Sequence, residues 1–365
     1  MIQPDLTSIA QKIVSTCTGV KRGDCVFILA RRDTADFAES IGIACTRRGA
    51  LPIVQARSDN YRRENLLQAD QQTLETTPRH FLAMIEETDV FFQVGFLLES
   101  PVFLQDVPPE KFAAHQKGHQ PVQQALYDGT KKWIGIACPS PAQAEVFGIP
   151  WESYHDSLWK ALDADYGNIS ERCNRVENML KGKKEVHITT KKGTDVTIDI
   201  EGITILRDDG VIPEPGRGVP LMNLPSGEVY LPPKTAQGTV VYDYTFLYGK
   251  TVFDLKGEFV DGIIEFTDHE KELDFVKNSL DSATGDAYRI AELGIGVNSD
   301  LKQYGNILAT EKMNGTVHLA LGENRPIGGT NEAGIHWDMF IFEPTVSVDG
   351  VILIKEGHFQ IEGLQ

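Results

Sequence analysis

Apolar and polar positions follow two different rhythms along the 365-residue chain. Up to about residue 180, short apolar runs alternate with stretches of helical spacing. CVFILA, starting at Cys25, has the continuous apolar character of a buried strand. DFAESIGIACTRRGA follows with helical periodicity, and Gly49 is a fitting stop. LPIVQAR, DVFFQVGF and KKWIGIAC predict further strands, and segments such as PEKFAAHQKGHQPVQQALYD predict helices between them. Strand–helix alternation of this kind favours a parallel sheet covered by helices on both faces. The stretch from Pro150 to Lys184 predicts a long helical connector with a break at Gly167.

After Lys184 the period drops to two. EVHITTKKGTDVTIDI has the alternation of a hairpin, and Asp-Gly turn signals recur at Asp209-Gly210, Asp261-Gly262 and Asp349-Gly350. HEKELDFVKNSLDSATGDAYRIAEL interrupts the strands as a predicted helix. The expected architecture is an α/β N-terminal domain with a mainly parallel sheet and the helical connector, residues 1–183, followed by a β-rich α+β domain, residues 184–365.

Four strand-like segments of the second half place ionisable groups inside apolar runs, and residues two apart share a face. In GIHWDMFIF, His336, Asp338 and Phe340 oppose a wholly apolar face. In TVHLALGEN, His318 shares its face with the small residues Thr316 and Ala320. In RIAELGIGVN, Glu292 stands with Gly294 and Gly296; in LPSGEVYLPP, Glu228 stands with Tyr230. A buried carboxylate must be paired, neutralised or bound to a metal. With little Lys or Arg nearby, a divalent cation is the expected partner, and oxygen and imidazole ligands without thiolate suit Zn, Co, Mn or Fe(II). Two such ions against three carboxylates leave charge for a hydroxide, and a metal-bound water of lowered pKa is a nucleophile. Taken singly each feature has a plainer explanation: a satisfied polar histidine, a solvated His-x-Asp pair, a turn carboxylate at Glu228. Their co-occurrence favours the metal.

The formal net charge of −17 excludes a nucleic-acid partner and an anionic membrane surface, both of which need clustered basic residues. No basic leader followed by an apolar run opens the chain and no run of spanning length occurs, so a cytoplasmic protein is expected. Cys17, Cys25, Cys45, Cys138 and Cys173 show no CxxC pair and suit free thiols. The turn after the first strand has no glycine, which argues against a dinucleotide site, and no GxSxG elbow occurs. His115 and His119 have helical i,i+4 spacing in polar surroundings and suit a solvated face; His80, His155, His187, His269 and His358 are isolated.

The ordered set LPSGEVYLPP, RIAELGIGVN, GTVHLALGEN and NEAGIHWDMFI resembles the metalloaminopeptidases typified by aminopeptidases T and S, the thermophilic-type leucyl aminopeptidases. The similarity extends through WIGIACPSPAQA and covers most of the chain. The resemblance implies a two-metal site on Glu228, Glu292, His318, His336 and Asp338, removal of N-terminal residues from short peptides, and a homodimer. Glu292 and Asp338 sit centrally and are expected to bridge the ions. Seven residues after the first histidine the family has a tyrosine, where this chain has Arg325. Arg325 is therefore a candidate catalytic residue, able to stabilise an intermediate or to hold a substrate carboxylate, and Tyr230, Tyr242, Tyr244 and Tyr248 are candidate replacements for the tyrosine, with Tyr230 foremost. A second resemblance is to the 2,5-dihydroxypyridine ring-opening dioxygenases, which use one Fe(II) held by two histidines and a carboxylate. Their His-x-Asp matches His336 and Asp338; Glu292 stands where they have a histidine, which favours the hydrolase set, while His318 could still complete an Fe(II) triad.

Overall fold

The computed structural model describes residues 1–96, 98–215, 220–267, 272–302 and 304–364. They fall into two compact units: Met1–Tyr166 with Gly210–Pro225, and Gly167–Asp209 with Ser226–Gln365.

The first unit is built on a five-stranded sheet of β1 (Cys25–Arg31), β2 (Leu51–Arg57), β3 (Val90–Val94), β4 (Lys132–Ile136) and β5 (Leu221–Leu224), in the order β2-β1-β3-β4-β5. Every pairing is parallel. The inner strands bury both faces through Phe27, Ile28, Phe91, Phe92 and Ile134, which is why they lack alternation in sequence. After β1 the helix Ala35–Arg47 packs back, and Gly49 supplies the left-handed turn (φ +81°) into β2. The strand order reverses between β1 and β3, so the loops leaving their carboxyl ends diverge.

The predicted connector is two helices, Trp151–Leu162 and Tyr166–Leu180, and the break lies at residues 163–165 rather than at Gly167, which sits in the first turn of the second helix. The compact units also divide differently from 183/184. Tyr166–Leu180 lies almost wholly in the second unit, where Arg172 Nε donates to the carbonyl of Val297 (2.8 Å) and Cys173 packs on Glu228. Conversely, β5 returns from the second half of the sequence to extend the parallel sheet.

The second unit carries a thirteen-stranded sheet whose pairings are antiparallel. Glu185–Thr189 and Asp195–Asp199 form the expected hairpin. Asp261-Gly262 (φ +50° and +78°) and Asp349-Gly350 (φ +46° and +80°) turn two more hairpins with both central residues left-handed. Asp209-Gly210 instead marks the passage of the chain into the first unit. The predicted interrupting helix spans Leu273–Ser282, and His269 lies outside the described residues. Four adjacent strands matter most: β6 (Glu228–Leu231), β7 (Ile290–Gly296), β8 (Val317–Gly322) and β9 (His336–Ile341), in the order β9-β8-β7-β6. Among the described residues no helix is long and apolar enough to cross a membrane.

Candidate metal centre

Antiparallel register decides which side chains meet, because directly opposed residues share a face. Gly294 of β7 lies opposite both His318 of β8 and Tyr230 of β6; Gly296 lies opposite Glu228. Ala320 and Gly322 of β8 lie opposite Asp338 and His336 of β9, and Glu292 lies opposite Ala320. One face of four strands thus presents Glu228, Tyr230, Glu292, His318, His336 and Asp338 with glycine or alanine between them. The small residues are spatially required. A Cβ on Gly294 would stand 2.0 Å from Cε1 of His318, so only glycine leaves room for the imidazole.

All five expected ligands converge. His318, with no exposed surface, has Nε2 3.2 Å from Glu292 Oε1 and 3.6 Å from Glu228 Oε2. His336 Nε2 lies 3.6 Å from Glu292 Oε2 and 3.4 Å from Asp338 Oδ1. Glu292 therefore touches both imidazoles. His336 Nδ1–H donates to the carbonyl of Glu323 (2.7 Å), which fixes the ring so that Nε2 faces the carboxylates. Behind the cluster, Thr245 Oγ1 donates to the carbonyl of Asp338 (2.6 Å) and accepts from Trp337 Nε1 (2.7 Å).

The sequence reading missed three participants. Glu311, Glu228 and His318 form one group of closely spaced ligand atoms; Glu292, His318 and Asp338 form a second, and His318 belongs to both. Next to Glu311, Lys312 is wholly buried, and its Nζ contacts Glu228 Oε1 (2.5 Å), Asp208 Oδ2 (3.3 Å) and the Glu311 carboxylate. This corrects the expectation of little nearby Lys. Glu311 and Lys312 come from an irregular loop, where no periodicity announces a facing side chain. The available clue is Gly296: a Cβ there would meet the carbonyls of Met313 (2.1 Å) and Glu311 (2.8 Å), so glycine admits the loop. Asp208 belongs to an Asp-Asp-Gly run that resembles a turn but ends the strand Leu206–Asp208 paired with β6.

The electrostatics are those of an acidic cluster with too few cations. Burial works to lower both imidazoles, but carboxylates outweigh it: the hydrogen bond to Glu292 with the charges of Glu228 and Asp338 raises His318 to about 9, and Asp338 with Glu292 raises His336 to about 10. Burial, reinforced by Glu311 and Glu292, pushes the Glu228 carboxyl well above its ordinary range. Burial opposes ionisation of Asp338 too, yet His336, His318 and Lys312 hold it down at about 2. Lys312 takes one oxygen of Glu228 and leaves Oε2 buried with no hydrogen-bond partner, as is Nδ1 of His318. An orphaned carboxylate oxygen facing an imidazole, inside a set of oxygen and nitrogen donors, fits a divalent cation.

Arg325 stands outside this cluster. It begins a short 3₁₀ turn, is about half exposed, and grips Glu323 with both ends of its fork (2.8 and 2.7 Å), with Glu332 at 3.2 Å. That pairing draws Glu323 down to about 2. Arg325 reaches the site only through Glu323, whose carbonyl orients His336. Of the tyrosines, Tyr242 is wholly buried, Tyr244 donates to the carbonyl of Gly305 (2.6 Å), and Tyr248 is exposed at a hairpin end. Tyr244, opposite Phe340, shares the sheet face of the cluster but spends its phenol on Gly305, whereas Tyr230 stands two residues from Glu228 on β6; burial, with the charges of Asp208, Glu292 and Glu228, raises the Tyr230 phenol so that it keeps its proton.

A family profile described as thermophilic metalloprotease (M29) matches residues 2–359. No curated protein matches the chain. Among solved structures, wild-type AmpT from Thermus thermophilus is 21% identical with a TM-score of 0.80, covering 98% of this chain and 99% of that one. The 2,5-dihydroxypyridine dioxygenase of Pseudomonas putida KT2440 is 18% identical with a TM-score of 0.67, covering 99% and 98% respectively. Both likenesses concern the fold.

Proposed function

Since the chain belongs to the thermophilic metalloprotease (M29) family, a family of metal-dependent peptidases, we propose that it is a two-metal aminopeptidase that hydrolyses the first peptide bond, or a related amide, of short substrates. The observation that carries this reading is the charge balance of the cluster. Asp208, Glu228, Glu292, Glu311 and Asp338 are five carboxylates against one ammonium, Lys312; with every carboxylate ionised and the imidazoles neutral, the state that bound cations would impose, four negative charges remain, the complement of two divalent cations. Glu228 and Glu311 would hold one ion, His336 and Asp338 the other. Glu292, in contact with both imidazoles, would join them, and His318, whose Nε2 faces both Glu228 and Glu292, would bind one of the two. When bound, such ions supply an acidified water and a Lewis acid for the carbonyl.

The chain's own groups then have distinct tasks. Lys312 orients Glu228 by occupying Oε1, and Glu323 orients His336 through its carbonyl. Tyr230, protonated at neutral pH, is the proposed hydrogen-bond donor to the developing oxyanion. The buried carboxylates favour a substrate end that is cationic, which is the chemistry of a free α-amino group.

The test compares an aminoacyl p-nitroanilide with its N-acetylated counterpart on the metal-loaded enzyme. Hydrolysis of the free amine, and at most about 1% of that rate on the blocked one, is expected. One iron per chain, oxygen uptake with a hydroxypyridine and no amide hydrolysis would sink the peptidase reading in favour of ring-opening.

A further inference from the structure

The parallel sheet of the first unit has a polar site of opposite character. At the carboxyl ends of β1, β2 and β3, flanking the point where the strand order reverses, lies a cleft of about 1030 Å³ lined entirely by residues of this unit. Crevices at such reversal points are where open α/β sheets take ligands. The chain is strongly acidic, yet the cleft is not. Arg31, ending β1, is neutralised by Asp33 at 2.6 Å. Arg57, ending β2, and Arg62 on the following helix have no carboxylate within salt-bridge distance among the described residues; Asp59 acts on Arg62 only at longer range. Two guanidinium groups thus face one carboxylate. Arg57 lies over the Phe81 ring, 5.4 Å from its centroid, within cation–π distance. Opposite, on the helix Pro109–Tyr127, His115 and His119 stack at 3.9 Å, and His119 Nδ1–H donates to the carbonyl of His115 (3.1 Å). Burial and the neighbouring arginines lower both imidazoles, His115 to about 4, so at neutral pH they offer hydrogen bonds without charge.

We propose that this cleft binds a small organic oxyanion, a carboxylate or phosphate monoester on an apolar or aromatic body, with Arg57 and Arg62 taking the oxyanion and Phe81 and the neighbouring apolar wall taking the body. A metal at His115 and His119 is disfavoured by the two guanidinium charges beside them. A dinucleotide is disfavoured by the turn after β1, Arg31-Arg32-Asp33-Thr34, which has no glycine to bring backbone N–H groups against a pyrophosphate. Side-chain forks replace the phosphate loop here, and forks suit a single terminal oxyanion.

Calorimetric titration of the full chain with phenyl phosphate, benzoate and inorganic phosphate tests the site. Saturable binding of one equivalent of an aromatic anion is expected, the tighter of the two identifying the headgroup, with inorganic phosphate at least about tenfold weaker. Arg57→Gln and the exposed Arg62→Gln should each weaken binding by about tenfold or more at unchanged melting temperature, while His318→Ala should leave it intact. Absence of saturation by both aromatic anions, equal affinity for inorganic phosphate, undiminished binding in both arginine variants, or loss of binding in His318→Ala would overturn the proposal.

Discussion

In the antiparallel sheet the ionisable groups stand in the middle of strands: Glu292, His318 and Asp338 are each flanked on both sides by buried residues of their own strand. In the parallel sheet the inner strands β1 and β3 carry no charge in mid-strand, and β1 reaches its charge only at its last residue, Arg31, as the largely exposed edge strand β2 does at Arg57. The difference follows from what covers each sheet. Strands buried on both faces by helices cannot carry a charged side chain mid-strand, so their chemistry is displaced to carboxyl ends and loops. A face that carries its own countercharges, Lys312 and the imidazoles, can hold carboxylates centrally. One region has an excess of carboxylates; the other has guanidinium groups with few carboxylates.

If the antiparallel face is an under-neutralised acidic cluster, removing its one ammonium has the largest effect. Lys312→Met keeps the bulk and deletes the charge, and should destabilise the metal-stripped protein by about 3–5 kcal/mol in denaturant titration. An unchanged or raised stability would show that the carboxylates do not depend on Lys312.

The pH dependence follows in size. In the stripped protein His318 and His336 are raised to about 9 and about 10, above their ordinary value near 6.5. Their stabilisation is therefore complete below about pH 6.5 and is lost as pH rises through 9 to 10. For wholly buried His318 this is on the order of 3 kcal/mol; His336, with 36% of its side chain exposed, contributes less. Bound cations take neutral imidazoles, so metal affinity should rise with pH and the metal-loaded protein should lose this alkaline decline. Melting temperatures of stripped and loaded protein from pH 6 to 10.5 check both.

Gly294→Ala sharpens the role of the small residues. The new methyl would collide with the His318 ring, and a loss of about 1–3 kcal/mol with weakened metal binding is expected; Gly328→Ala, where a methyl has open space, costs only backbone strain at φ +90° and should leave metal binding alone. The smallest effect is expected at Arg325, whose exposed grip on Glu323 lies outside the cluster. Arg325→Ala should change amide hydrolysis by less than about tenfold, since exposed ion pairs contribute little. A collapse of activity would restore Arg325 to the catalytic machinery.

The same contrast explains what the amino-acid sequence reveals. His318, His336, Asp338, Glu292 and Glu228 were legible because a period of two separates a polar face from an apolar one, and a register between antiparallel strands brings such faces together. Glu311 and Lys312 were not, because a loop has no period and only Gly296 hints that the backbone must approach. The parallel sheet was legible as a sheet but not as a site. Arg57 and His119 are 62 positions apart in sequence and meet only through the order of strands. Strand β5 was invisible for a related reason: four residues, Leu221–Leu224, are too short to show the burial that parallel pairing with β4 imposes.

The central claim, a two-ion centre on the antiparallel face, is tested most directly by metal stoichiometry. Stripped protein is titrated with Zn(II) or Mn(II), dialysed, and its metal content measured by mass spectrometry for wild type, Glu292→Gln and Glu311→Gln. The account predicts two ions per chain in wild type and fewer in both variants, with hydrolysis lost in step. One ion per chain in wild type, unchanged by Glu311→Gln, would contradict it.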